Sequence, residues 1–253
     1  MEEIDMRILL IDIETAPISA FTWGLFKQNI NIDWVTDSGR VLCWAAKWLG
    51  DDGIMYSSEH DKIRSAHKKM IVRAHALLTQ ADAIVHYNGN SFDIPTLNKE
   101  FIQYGMRPPA PAQQIDLLRT VRRKFRFPSN KLDFVTRVLG LGRKLKHRGP
   151  DLWLDCMAGD KDAWVEMEAY NRQDVVVLEQ LYDRLLPWID DHPHVGVQDG
   201  APESCPNCGG IHLQARGWAR TKLSKYRRYQ CTDCGTWTRG SRRESGAKVQ
   251  AAV

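Results

Sequence analysis

No stretch of about 18 consecutive apolar residues occurs in this sequence, so nothing in it reads as a membrane-spanning helix. The first residues, Met1-Glu2-Glu3-Ile4-Asp5, are acidic and lack the basic-then-apolar order of a secretory leader, which predicts a cytoplasmic protein. No internal repeat is visible either. Isolated cysteines are few. Of six, Cys43 and Cys156 stand alone in apolar stretches, and the other four form the tight pairs Cys205/Cys208 and Cys231/Cys234. In a reducing compartment that pairing points to metal rather than disulfides. A strong net charge is also missing, at +4 over 253 residues, but the small total hides an imbalance. Residues 201–253 hold 10 of the 35 Lys and Arg but only 3 of the 31 Asp and Glu, a net +7 on a body of −3. A basic tail on a slightly acidic body suits a polyanionic partner.

What is present fits a globular chain, with 43% hydrophobic and 26% charged residues and room for one sizeable core plus a small satellite. The continuous apolar run Arg7–Ile13 predicts a buried central strand, with Asp12 and Glu14 at its C-terminal end. Residues 40–49 and 83–87 read as further strands, 113–118 as another, and 61–80 and 94–104 as helices. A helix capped by Asn130 is expected over 130–141, and two helical stretches over 161–172 and 174–189. This alternation of strands and helices predicts an α/β domain with a mixed sheet. The domain is expected over 1–190, a linker over 191–202, a zinc ribbon over 203–238 and a disordered basic tail over 239–253.

Three separated segments carry candidate chemistry. Asp12 and Glu14, at i and i+2 on one strand, face the same way and repel each other unless a cation lies between them. The stretch HYNGNSFDIPTL (86–97) places Asn88 in a tight polar loop and Phe92 as an apolar anchor beside Asp93, at the start of a helix. In YNRQD (170–174), Tyr170 and Asp174 stand at i and i+4 and share a face if the helix is continuous. Each segment taken alone also has a plain structural explanation: a solvated strand end, a helix cap, an amphipathic helix.

Together, in this order, the three segments resemble the motifs of the DEDD superfamily of 3′→5′ exonucleases, which have the RNase H-like fold. The resemblance covers roughly residues 7–187. Tyr170, four residues before the last aspartate, matches the tyrosine subclass, whereas the histidine subclass would need His where this chain has Ala169. The phrases DIET, YNGNSFD and YNRQDV are similar to proofreading domains of B-family DNA polymerases and their stand-alone relatives, phage-encoded ones among them. The resemblance implies that Asp12, Glu14, Asp93 and Asp174 bind two Mg²⁺ or Mn²⁺ ions, and that Tyr170 orients the attacking water. It implies that Asn88 meets the 3′-terminal nucleotide and that a nucleoside 5′-monophosphate is released. A separate DNA polymerase is the implied partner, since no polymerase domain fits in the chain.

The paired cysteines read as two C-x₂-C knuckles of a structural Zn²⁺ site, 22 residues apart. Four sulfur ligands leave no open position for catalysis; His212 is a spare donor nearby. Between the knuckles, Trp218, Tyr226 and Tyr229 interleave with Lys222, Lys225, Arg227 and Arg228, a mixture suited to single-stranded nucleic acid or to docking on a protein. Trp237 is expected to pack on a knuckle. Two further basic clusters, Arg119/Arg122/Arg123/Lys124/Arg126 and Arg143/Lys144/Lys146/His147/Arg148, are candidate phosphate contacts. The sequence thus predicts a DNA exonuclease acting on single-stranded 3′ ends in replication or repair. An exoribonuclease remains open, as does a nucleic-acid- or polymerase-binding module with secondary or no hydrolysis.

Overall fold

The computed structural model describes residues 6–60, 65–142, 145, 148–198 and 200–249. They form two compact units, one of Arg7–Leu181 and one beginning at Tyr182.

In the first unit, chain order gives β1 (Ile8–Thr15), β2 (Ser19–Ala20), β3 (Val35–Asp37), β4 (Val41–Trp48), β5 (Met55–Ser58), α1 (Ala66–Gln80), β6 (Ala83–His86) and α2 (Asp93–Gln103). Then follow β7 (Gln113–Asp116), α3 (Leu117–Lys124), α4 (Leu132–Val138), α5 (Asp151–Met157) and α6 (Lys161–Leu185), whose last turn enters the second unit. The main sheet has the order β5-β4-β1-β6-β7. β5, β4 and β1 pair antiparallel, and β1, β6 and β7 pair parallel, so the sheet is mixed and flanked by helices as an RNase H-like fold requires. β1 is central because its apolar run is buried on both faces.

Alternation along β1 divides its side chains. Leu9, Ile11 and Ile13 enter a core with Met70, Ile71, Leu97 and Phe101 of α1 and α2. The opposite face packs Ala16, Leu42 and Cys43 against Leu152 and Cys156 of α5 and Ala163, Trp164, Met167 and Tyr170 of α6. Asp12 and Glu14 belong to that second face. α6 is one unbroken helix where two were expected. Gln173 continues the helix, and the buried stripe Ala163, Met167, Tyr170, Asp174, Leu178, Leu181 runs through the expected break without changing phase. α4 is shorter than expected and is capped at Lys131, because Asn130 gives its carbonyl to the Tyr87 hydroxyl (2.6 Å) instead of opening the helix. Between β1 and β4 the chain exposes Phe21, Trp23, Leu25 and Phe26.

In the second unit, Tyr182 hydrogen-bonds His192 (2.8 Å), and Asn207 donates to the Leu186 and Ile189 carbonyls. These contacts place the start of the unit before residue 190, where the sequence put the boundary. The expected linker includes a helical turn, α7 (Val195–Gln198). Three antiparallel strands follow, β8 (Leu213–Arg220), β9 (Ser224–Cys231) and β10 (Trp237–Gly246), in the order β10-β9-β8. β10 corrects the expectation of a disordered tail from 239: Arg239 pairs with Arg228 and Arg243 with Tyr226. The charged composition that read as disorder is that of a strand in a small, solvent-washed sheet.

Candidate metal centre and nucleic-acid surfaces

β1, β6 and β7 run parallel, so their C-terminal ends reach one edge of the sheet, where ligands of open α/β sheets bind. Asp12 and Glu14 end β1, Asn88 and Asp93 follow β6, and Asp116 ends β7. A register shift between Glu14 and Thr15 marks an irregularity of the kind that re-aims side chains near functional sites.

Ligand atoms of Asp12, Glu14 and Asp174 lie within 4.8 Å of one another, although Asp174 is 162 positions from Asp12. Asp174 is 1% exposed. Like charges this close in a poorly solvated place destabilise the fold unless a cation joins them, so the donor set fits a hard divalent metal. Asp93 is buried at the start of α2 but does not join that group of three. It is tied to the same strand, where its Oδ1 accepts from the Ile13 N–H (3.3 Å), between the two β1 acids. Phe92 holds the cap position of α2, so Asp93 is not a simple N-cap. Phe92 is itself 45% exposed, which leaves its ring accessible to the nucleic acid it is expected to contact.

Two residues that the sequence did not single out brace these acids. Asn171 Nδ2 donates to Asp12 Oδ2 at 2.8 Å, and Trp153 Nε1 donates to Glu14 Oε2 at 3.1 Å. A polar Asn171 in the apolar stripe of α6 is a signal that could have been used; Trp153 offered none, since its role depends on how α5 packs. Tyr170 is buried and meets the Trp153 ring edge-on, with centroids 6.0 Å apart. The Cys43 thiol is pushed well up by burial and then by nearby Glu14, so it stays protonated.

The loop after β6 is held by its own network. Asn88 is left-handed (φ 72°), and its N–H donates to Asp116 Oδ1 (2.9 Å). His86 accepts from the Gly89 N–H at Nδ1 (2.9 Å) and contacts Gln114 Oε1 through Nε2 (3.1 Å), the pattern of a neutral ring protonated at Nε2. Burial lowers its pKa, against the partial opposition of Asp116. Asn88 lines two neighbouring clefts, one with Arg122, Asn130 and Lys131 and one with Arg119, Arg122 and Arg123, so the first basic cluster lies beside the expected end-binding residue. Of the second cluster, Arg143, Lys144, Lys146 and His147 lie outside the described residues, and Arg148 pairs with Asp155 (2.7 Å) and Glu166 (3.1 Å).

In the second unit, the sulfurs of Cys205, Cys208, Cys231 and Cys234 also lie within 4.8 Å of one another. Four sulfurs about 2.3 Å from a tetrahedral ion would stand about 3.8 Å apart. Cys205 and Cys234 are 3.6 Å apart and Cys208 and Cys231 3.7 Å apart, so the cluster fits a zinc ribbon. Gly209 and Gly235 follow the knuckles in the left-handed region, which lets each N–H return to the carbonyl of the first cysteine of its pair. Burial pushes the Cys205 and Cys208 thiols up, so they need a cation in order to ionise. His212 instead pairs with Asp233 (2.9 Å).

One face of the ribbon stacks Lys225 (3.9 Å) and Arg227 (4.9 Å) on Trp218. The other stacks Arg239 on Tyr226 (4.0 Å) and Arg228 on Trp237 (4.9 Å). Trp237 is thus half-exposed, with an arginine over its ring. Lys222 lies in the turn between β8 and β9.

A sequence model of the RNase_H superfamily matches residues 38–186. No curated protein sequence matches the chain. Among solved structures, the family B DNA polymerase of the hyperthermophilic archaeon Pyrobaculum calidifontis is similar, with a TM-score of 0.49 and 17% identity. The match covers 86% of this chain and 31% of the polymerase, so the chain spans less than a third of that protein's length.

Proposed function

The chain belongs to the RNase H superfamily, and from that premise we propose that it is a metal-dependent 3′→5′ exonuclease that shortens DNA from its 3′ end. The observation that carries this reading is the convergence of Asp12, Glu14 and Asp174 from distant parts of the chain. With Asp93 tied to the backbone between the first two, these residues would hold two Mg²⁺ or Mn²⁺ ions. Bound there, such ions would supply Lewis-acid activation of water and offset negative charge at the leaving oxygen.

The chain's own residues do the rest. Asn171 keeps Asp12 aimed, and Tyr170 orients the water that attacks the terminal phosphodiester. Asn88 contacts the terminal nucleotide, with Arg119, Arg122 and Arg123 along the neighbouring cleft to bind upstream phosphates. Phe92, exposed at the cap of α2, touches that end as well in this reading, which its 45% exposure supports. Four thiolates hold one structural Zn²⁺, and the stacked cations of the ribbon, with Lys222, hold single-stranded nucleic acid. Acting beside a separate DNA polymerase would make the enzyme a proofreader.

The test is a gel assay of 5′-labelled single-stranded DNA and RNA with Mg²⁺ or Mn²⁺, with EDTA and Asp174→Ala controls. A metal-dependent ladder shortening from the 3′ end, absent in the variant, is expected, with DNA the better substrate. Faster loss of RNA would make it an exoribonuclease. Intact strands that still shift on a native gel would replace the enzyme with a binding module.

A further inference from the structure

The second unit holds a cleft of its own, of about 720 Å³, where α7 and the chain after it face the three strands. From that chain come Pro202 and Pro206, and from β9 comes the Tyr229 ring. From β10 come the hydroxyls of Thr238 and Ser241 and the guanidinium of Arg242. Arg242 is exposed and has no acidic partner among the described residues. Arg239 lines the cleft too, with its guanidinium over the Tyr226 ring. Glu203 is the one acid among the described lining residues, and it is exposed. In the wall, His194 Nδ1 and Ser204 Oγ are buried with no hydrogen-bond partner among the described residues. Buried polar atoms of that kind cost stability unless something meets them, so the cleft suits a polar ligand better than simple packing.

Donors on one side and flat apolar surface on the other suit an anion joined to a ring. β9 carries the same chemistry onward. Lys225, Arg227 and Tyr229 alternate onto one face, where the first two stack on Trp218. Each step along that face is about 6.8 Å, which an extended sugar–phosphate chain can follow. We propose that this cleft is a nucleotide-binding site of the second unit. It takes one nucleoside 5′-phosphate, with the phosphate at Arg242 and the base against Tyr229, and a bound single strand continues from it along the Trp218 face. The site goes beyond a general hold on nucleic acid because it fixes one nucleotide in one place, and it needs no hydrolysis.

The test titrates the zinc-loaded full chain, followed by ¹⁵N NMR, with deoxyadenosine, dAMP and a short oligo(dA). Mg²⁺ and Mn²⁺ are left out, so the carboxylates of the first unit repel phosphate. dAMP should bind about 10-fold or more tighter than deoxyadenosine. Arg242→Gln should remove that advantage and weaken the oligonucleotide by about 10-fold. Gly240→Val puts a side chain into the cleft, where its Cβ would stand 3.6 Å from the Tyr229 ring, an ordinary contact. It should weaken all three ligands by about 5-fold or more; if it fails to fold, Arg242→Gln decides alone. Replacing Lys225 and Arg227 by Ala should weaken the oligonucleotide and leave dAMP unchanged. An oligonucleotide that depends on Arg242 where free dAMP does not bind assigns the nucleotide to a strand and sustains the site. Equal, measurable affinity for deoxyadenosine and dAMP overturns it. So does Arg242→Gln binding both phosphates as the parent does, or no binding at all. Absence of cleavage in the gel assay would sink the exonuclease reading and leave this site standing.

Discussion

At the scale of the residue, the site balances function against stability. Three carboxylate ligand atoms within 4.8 Å oppose one another in the metal-free chain. Asp174→Asn should therefore abolish cleavage, by about 10²-fold or more, while raising metal-free stability by about 0.5–2 kcal/mol in urea unfolding. A variant that lost both would mean that Asp174 serves packing. Asn171→Ala removes the 2.8 Å bond to Asp12 and should cost about 10- to 100-fold in metal affinity. Titration of His86 gives a pH prediction. Burial lowers its pKa in the fold, so as pH falls the unfolded chain takes the proton first. The contribution is whole above the ordinary histidine value near 6.5 and is lost as pH drops from there toward the lowered folded value. His192, also lowered by burial, acts in the same sense. Urea midpoints should fall between pH 7.5 and 5.5, and less steeply in His86→Gln. Asp12, Glu14 and Asp174 were singled out because three segments, each ordinary alone, together resemble one set of motifs in one order, and the structure brings their ligand atoms within 4.8 Å. Asn171 and Trp153 were not, because a brace acts through space and leaves no spacing behind.

At the scale of the element, runs with a single period were read correctly. β1, β4 and β6 are short apolar runs, and α1 and α2 follow helical spacing over about four and about three turns. Charge patterns misled. A basic, polar stretch became β10 because backbone pairing with β9 needs no apolar side chain, and the Arg239 stack on Tyr226 covers what apolar surface there is. The strand can be tested by ending the chain after Thr236. Amides of β9 should then lose hydrogen-exchange protection, with the edge left open; unchanged protection would mean that β10 adds nothing. The loop after β6 offers a second test. A Cβ on Gly89 would stand 2.3 Å from the His86 ring, in backbone that closes on that ring through its own N–H. Gly89→Ala should destabilise the domain by about 1–3 kcal/mol, read as a lower urea midpoint.

At the scale of the whole molecule, the sequence announced two metal-capable donor groups and a mixed α/β sheet, but not where the second unit starts. Tyr182 lies in the same helix as Asp174, and periodicity does not change where packing partners do. Chelation that strips zinc should remove exchange protection from β8–β10. The charged ribbon should give nucleic-acid affinity a steep salt dependence, about −0.7 in log–log slope per phosphate neutralised on a single strand. Replacing both Lys225 and Arg227 by Ala should flatten that slope by about one phosphate or more. The 162 positions between Asp12 and Asp174 also bear on synthesis. A ribosome releases Asp12 and Glu14 early and Asp174 only when most of α6 has been made, and domains fold from the N-terminus as they emerge. A nascent chain that stops short of Asp174 therefore carries an unfinished centre, and the proposed hydrolysis waits until the first unit, Arg7–Leu181, is nearly made.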